Sequence, residues 1–189
     1  MSSQMRRSGG ASSAASEMHW KAYRLLEKGK DASYREAIPL LRELAVLEKA
    51  DKAWAEYHLG LVFDYGYGAR RNRALAIYWY AKAARRGFDS AQLNLGIILA
   101  NARGSLRNEK RAVALYKRAA SQGNRNAAYN LGMYYGEGRG VRKSTSASRK
   151  WYGVAARLGD ADAQSVLSGK RGHGRPRRKA APRRPRRQG

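Results

Sequence analysis

The chain has 189 residues, 43% of them apolar, enough for one folded domain with tails. It carries a formal net charge of +25 and no cysteine, which excludes a disulfide framework, a thiol nucleophile and a thiolate metal site. No stretch approaches the length of a membrane span, and no apolar run follows Met5-Arg6-Arg7 as it would in an export signal, so the sequence places the protein in the cytoplasm.

Residues 1–17 are rich in Ser, Gly and Ala and too poor in large apolar groups to offset ordering entropy, so they read as a disordered tail. Residues 18–29 read as an amphipathic helix through Trp20, Tyr23, Leu25 and Leu26, stopped at Gly29. A helix over 34–49 follows, and Pro39, with no amide donor, should bend it or shift its start. A helix over 52–65 then leads into a strict period of 36 residues. Leu59-Gly60, Leu95-Gly96 and Leu131-Gly132 recur at that spacing, and one further step lands on Leu167-Ser168. Ala83-Ala84, Ala119-Ala120 and Ala155-Ala156 are in phase, each followed by Gly87, Gly123 or Gly159. Trp79-Tyr80, Leu115-Tyr116 and Trp151-Tyr152 share one slot, and Ala55, Ala91, Ala127 and Ala163 another.

A period of this length marks an array of stacked supersecondary units. Ala76, Trp79, Tyr80, Ala83 and Ala84 form one helical stripe that reads as core. The glycine after each Ala-Ala pair ends that helix in a left-handed cap. A second helix buries Ala91, Leu95 and Gly96. Its regular glycine, costly inside a helix, implies that something packs against bare backbone there. Asn72, Asn108 and Ser144 precede each long helix and are good N-caps. The long helices are therefore expected at 73–86, 109–122 and 145–158, and the short ones at 89–101, 125–136 and 161–168. Loop glycines recur at Gly68, Gly104 and Gly140, and Gly66 matches Gly138, whereas Ala102 breaks that second column.

The run from Ala112 to Gly123, then Asn124 to Ala127, Tyr129-Asn130-Leu131-Gly132-Met133-Tyr134-Tyr135 and Gly136-Glu137-Gly138-Arg139-Gly140-Val141 resembles one complete Sel-one-like repeat, a relative of the tetratricopeptide repeat. The resemblance covers residues 55–168 and implies an all-α, right-handed α-solenoid of antiparallel helix pairs. Residues 18–54 are similar to degenerate tetratricopeptide-like capping helices. The family usually places an aspartate where Asn72, Asn108 and Ser144 stand, and the loop with Ala102, Gly104 and Ser105 has lost part of its glycine pattern. The lack of cysteine separates the chain from the cysteine-rich, secreted branch of the family.

Residues 169–189 form a second tail, expected to be disordered. Between 170 and 189 stand ten basic residues and no acid: Lys170, Arg171, Arg175, Arg177, Arg178, Lys179, Arg183, Arg184, Arg186 and Arg187. Removing them from the net +25 leaves +15 for residues 1–169. Such a segment can lie along a polyanion and release its counterions, or serve only as a solubilising tail; it has no geometry for reading bases. On the long helices Tyr78, Lys82 and Arg85 form one stripe, with Lys117, Arg118, Arg149, Lys150 and Arg157 at neighbouring exposed positions. The first helices of a solenoid commonly line its concave, partner-binding face, so these eight are the candidate contacts. Arg71, Arg107 and Lys143 share a phase and read as a solvated basic edge. His19, His58 and His173 show no ligand spacing, and no phosphate-cradling loop follows a strand, so neither an enzyme nor a metal or cofactor site is expected. Two readings survive: a non-catalytic adaptor that binds a protein or peptide on its concave face with the tail as an auxiliary polyanion anchor, and a nucleic-acid or ribosome-associated protein that grips phosphate through tail and solenoid.

Overall fold

The computed structural model describes residues 5–47, 52–102 and 108–169, with side chains from Ala14 onward. Among the described residues every regular element is a helix: α1 (Met5–Glu27), α2 (Asp31–Leu44), α3 (Lys52–Tyr65), α4 (Arg73–Arg85), α5 (Asp89–Ala100), α6 (Glu109–Ser121), α7 (Arg125–Glu137), α8 (Thr145–Arg157) and α9 (Ala161–Leu167). They fall into two compact units divided between Ala83 and Ala84. From α4 to α9 each end lies within one residue of the expected boundary.

Local chemistry explains that agreement. The side chains of Asn72, Asn108 and Ser144 accept the backbone amides of Leu75 (3.0 Å), Arg111 (2.8 Å) and Ala147 (3.2 Å). A cap of this kind contributes about 1 kcal/mol, and a neutral oxygen does the work here of the family's aspartate. At the other end Gly87, Gly123 and Gly159 take φ values of 93°, 84° and 84°, the left-handed turn that stops each first helix.

The glycine of each Leu-Gly pair faces a tyrosine from the next first helix. Gly60 lies under Tyr80, Gly96 under Tyr116 and Gly132 under Tyr152. A Cβ at Gly132 would stand 2.8 Å from two carbons of the Tyr152 ring. All three tyrosines are buried to 1% exposure or less, so the bare backbone is the floor of an aromatic socket. In the second unit Leu131, Tyr116, Tyr134 and Tyr152 share one core with the small residues Ala112, Ala119, Ala127, Ala128, Ala155 and Ala163. The adjacent tryptophans behave differently. Trp79 and Trp151 are half-buried rather than core, because the tyrosine beside each takes the inward direction.

The loop glycines also make close contacts. Gly140 sits against the backbone of Glu109 and Lys110 at the start of α6, and Gly68 against Tyr34 and Arg35 in α2. In the first unit α2 thus receives the loop as α6 does in the second. Burial, and then the nearby Tyr67 and Asp31, push the Tyr34 hydroxyl up to about 12. Residues 103–107, with Gly104, Ser105 and Arg107, lie outside the described residues.

The N-terminal helices depart from expectation. α1 runs from Met5, whereas the sequence pattern places the start of the first amphipathic helix at residue 18. Ala14 and Ala15 are strong helix formers, and Ala15 is buried, which ties this stretch to the fold. α2 starts at Asp31 rather than 34, after left-handed Gly29 and extended Lys30, with the Asp31 carboxylate in the first turn favoured by the helix dipole. Pro39 therefore lies inside the helix, which ends at Leu44 rather than 49.

Candidate functional site

In the first unit α4 has two useful faces. Ala76, Tyr80 and Ala83 point into the core, whereas Leu75 and Tyr78 are 39% and 51% exposed. Leu75, Tyr78, Trp79 and Lys82 fall at i, i+3, i+4 and i+7, one stripe on the solvent side. The Lys82 ammonium lies 5.2 Å from the Tyr78 ring centroid and 5.1 Å from that of Trp79, and its Nζ donates to Tyr78 Oη at 3.4 Å. The result is a preorganised aromatic and cationic surface. Sequence reading found Tyr78 and Lys82 but missed Leu75 and treated Trp79 as core; the signal was the i−3 and i−4 relation of Leu75 to the two rings.

The remaining candidates belong to the second unit, where Arg85, Lys117, Arg118, Arg149, Lys150 and Arg157 are all exposed. They are not equivalent. Lys117 sits 5.6 Å from the Tyr135 ring centroid. Arg118 donates to the carbonyl of Ala84 at 3.3 Å, a carbonyl that also accepts the Gln92 amide at 3.2 Å. The Gln122 amide in turn donates to Gln92 Oε1 at 3.0 Å. Arg118 thus satisfies the end of one helix from the next first helix, a bracing role that competes with partner contact. Arg149 lines a cavity of about 410 Å³ with Gly136, Lys143, Thr145, Ser148, Tyr152, Val166 and Leu167. Lys143 and Arg71 are exposed at the loop edge, while Arg107 and the basic tail, Lys170 to Arg187, lie outside the described residues.

The two described histidines are brought together. His19 stacks on Trp54 with centroids 4.2 Å apart, and Trp54 lies 4.3 Å from His58. Among the described residues no group of three His, Cys, Asp or Glu side chains could hold a metal ion, and no helix is long and apolar enough to cross a membrane.

Helix pairs locked tyrosine on glycine, with aromatic and cationic side chains on their outer faces, define a helical-repeat protein, a class that works by presenting surface. The Sel1 repeat model matches residues 55–88, 89–124 and 125–160, more than half of the chain, which belongs to the Sel1 repeat family. Its fold is the α-solenoid of that family, and Sel1 repeat proteins generally mediate protein–protein interaction. Comparison with the curated proteins returned no match. Among solved structures, a Sel1 repeat protein from Oxalobacter formigenes is 30% identical with a TM-score of 0.64, over 72% of this chain and 56% of that one. The antigen c5321 of uropathogenic Escherichia coli strains, with an SLR fold, is 27% identical with a TM-score of 0.66, over 82% of this chain and 35% of that one. Cysteine rich protein B of Helicobacter pylori, 19% identical with a TM-score of 0.56 over 72% of this chain and 96% of that one, shares the fold. The chain thus spans about half and about a third of the length of the first two.

Proposed function

We propose that this protein is a non-catalytic cytoplasmic adaptor whose first helices, on the concave side of the solenoid, bind a protein or peptide partner. The observation that carries this reading is the outward stripe of α4. Leu75 and Tyr78 remain exposed on a helix whose opposite side already fills a core, and Lys82 is fixed over the rings. Aromatic residues held rigid at a surface are the usual anchors of protein interfaces, since they bury large area at little entropic cost. Lys117, Arg149, Lys150 and Arg157 would favour an acidic partner, while the tail adds a polyanion anchor without sequence preference.

The test is capture of partners from nuclease-treated and untreated extract by the full chain and by a Leu75→Ser, Tyr78→Ala double variant. A protein retained after nuclease and lost in the variant supports the adaptor. Binding that disappears with nuclease, and that falls about a thousandfold or more between 50 and 200 mM salt as contact with six or more phosphates requires, supports the nucleic-acid reading instead.

A further inference from the structure

The cavity beside α8 occupies a place that the preceding repeat fills with its own side chain. Shifting its lining by 36 residues maps Gly136 to Ala100, Ser148 to Ala112, Arg149 to Val113, Tyr152 to Tyr116 and Leu167 to Leu131. Those five counterparts share one core with Tyr134. Tyr134 lies edge-on to Tyr116 with centroids 5.3 Å apart and is fully buried. The counterpart of Tyr134 is Lys170, whereas α9 ends at Leu167. The pair α8 and α9 thus supplies the walls of the tyrosine slot, while the sequence has no tyrosine at the position equivalent to Tyr134. Its volume, about 410 Å³, lies in the range of small-ligand sites.

The charge of the slot has changed as well. In the pair α6 and α7 Glu109 stands by the slot and is paired with Arg139 at 2.8 Å, while Arg139 covers the Tyr134 ring at 4.5 Å. In the pair α8 and α9 the position of Glu109 is Thr145, and Val113 gives way to Arg149. Among the described residues the lining therefore contains Lys143 and Arg149 and no acid. We propose that this slot receives a tyrosine or phenylalanine side chain from an acidic segment of a protein partner, the ring replacing the missing counterpart of Tyr134 and a carboxylate meeting Lys143 or Arg149. The chain's own residues 170–189 contain no Phe, Tyr or Trp and no acid, so they do not match the slot. A second copy is opposed by a net charge of +25 on each chain.

This inference extends the protein-partner reading but uses a surface separate from the α4 stripe, so each can fail alone. The experiment is fluorescence anisotropy of the full chain with a short labelled acidic peptide carrying one tyrosine. The same peptide with that tyrosine replaced by alanine should bind about tenfold more weakly, or worse, as expected when a ring fills a desolvated pocket. Lys143→Glu with Arg149→Glu should weaken the parent peptide by a similar factor. Arg111→Glu with Arg125→Glu, an equal charge change on α6 and α7 outside the lining, and the Leu75→Ser, Tyr78→Ala variant should leave its affinity within about twofold. All these residues are exposed, so thermal melts should coincide. Equal binding of the two peptides would reduce the interaction to bulk charge attraction and overturn the proposal. So would a loss in the Arg111→Glu, Arg125→Glu variant as large as in the Lys143→Glu, Arg149→Glu variant. Capture of the same partner by the α4 variant as by the parent chain would sink only the earlier reading.

Discussion

Replacing Gly96 with alanine tests the socket on which the repeats depend. In an unconstrained helix this change is favourable by up to about 1 kcal/mol, because glycine has the greater backbone entropy to lose. At Gly96 the new methyl would stand 2.6 Å from Tyr116 Cε1 and 3.0 Å from Cδ1. Tyr116 has no exposed surface and packs edge-on with Tyr134. Overpacking of this kind costs about 1–3 kcal/mol, so the net outcome should be a loss of about 1 kcal/mol or more. Gly153, on α8, supplies the control, since an added Cβ there meets only the Arg157 side chain at 3.7 Å. Gly153→Ala should stabilise by about 0.5–1 kcal/mol. The same chemical change thus has opposite signs at the two sites. For a chain of this size each kcal/mol moves the melting temperature by about 2–4 °C, readily resolved by circular dichroism and by urea denaturation. Gly132→Ala should fall between them, because Tyr152 borders the cavity and has room to shift. Stabilisation of Gly96→Ala to the level of Gly153→Ala would show that ring contact is not the reason for glycine at this position.

Leu131→Ala removes a fully buried side chain from the second unit and should cost about 2–5 kcal/mol in chemical denaturation; a change near zero would mean the repeat register is wrong. Alkali should destabilise the first unit through Tyr34, whose hydroxyl stays protonated up to about pH 12 in the fold while an unfolded tyrosine ionises near its ordinary value of 10. Because the folded value is the raised one, this stability is complete below pH 10 and is lost as pH rises towards 12. Urea titrations of the parent and of Tyr34→Phe across that window should show a shallower pH slope in the variant.

Helix boundaries from α4 onward were legible because capping and turn chemistry is local: Asn108 and Gly123 mark α6 whatever lies around it. The glycine of the Leu-Gly pair showed that a close contact exists but not with what, since Gly96 and Tyr116 are partners only once two helices stack. Trp79 and Tyr80 illustrate the limit of periodicity. Two adjacent large apolar residues both fit a helical stripe, and the depth of the neighbouring socket, invisible in sequence, sends the tyrosine inward and leaves the tryptophan half-exposed. Arg118 looked like a surface contact because its acceptor, the Ala84 carbonyl, is backbone and has no residue signature. The start of α1 at Met5 went unseen because Ser and Gly dominated the composition, although Ala15 had a burial site waiting in the fold.

The tyrosine-on-glycine contact also makes the array modular in length. Each 36-residue segment carries one tyrosine for the glycine before it and one glycine for the tyrosine after it. Excising residues 97–132 would join Gly96 directly to Met133 and set Tyr152 at the sequence distance from Gly96 that Tyr116 holds now. Copies can thus be gained or lost without redesigning a joint, provided the cut respects the phase. Ser168 stands where the series breaks. It occupies the glycine position after Leu167, and its hydroxyl donates to the Ser165 carbonyl at 3.1 Å at the end of α9. Ser168 therefore carries a side chain at the position where Gly60, Gly96 and Gly132 present bare backbone to a tyrosine.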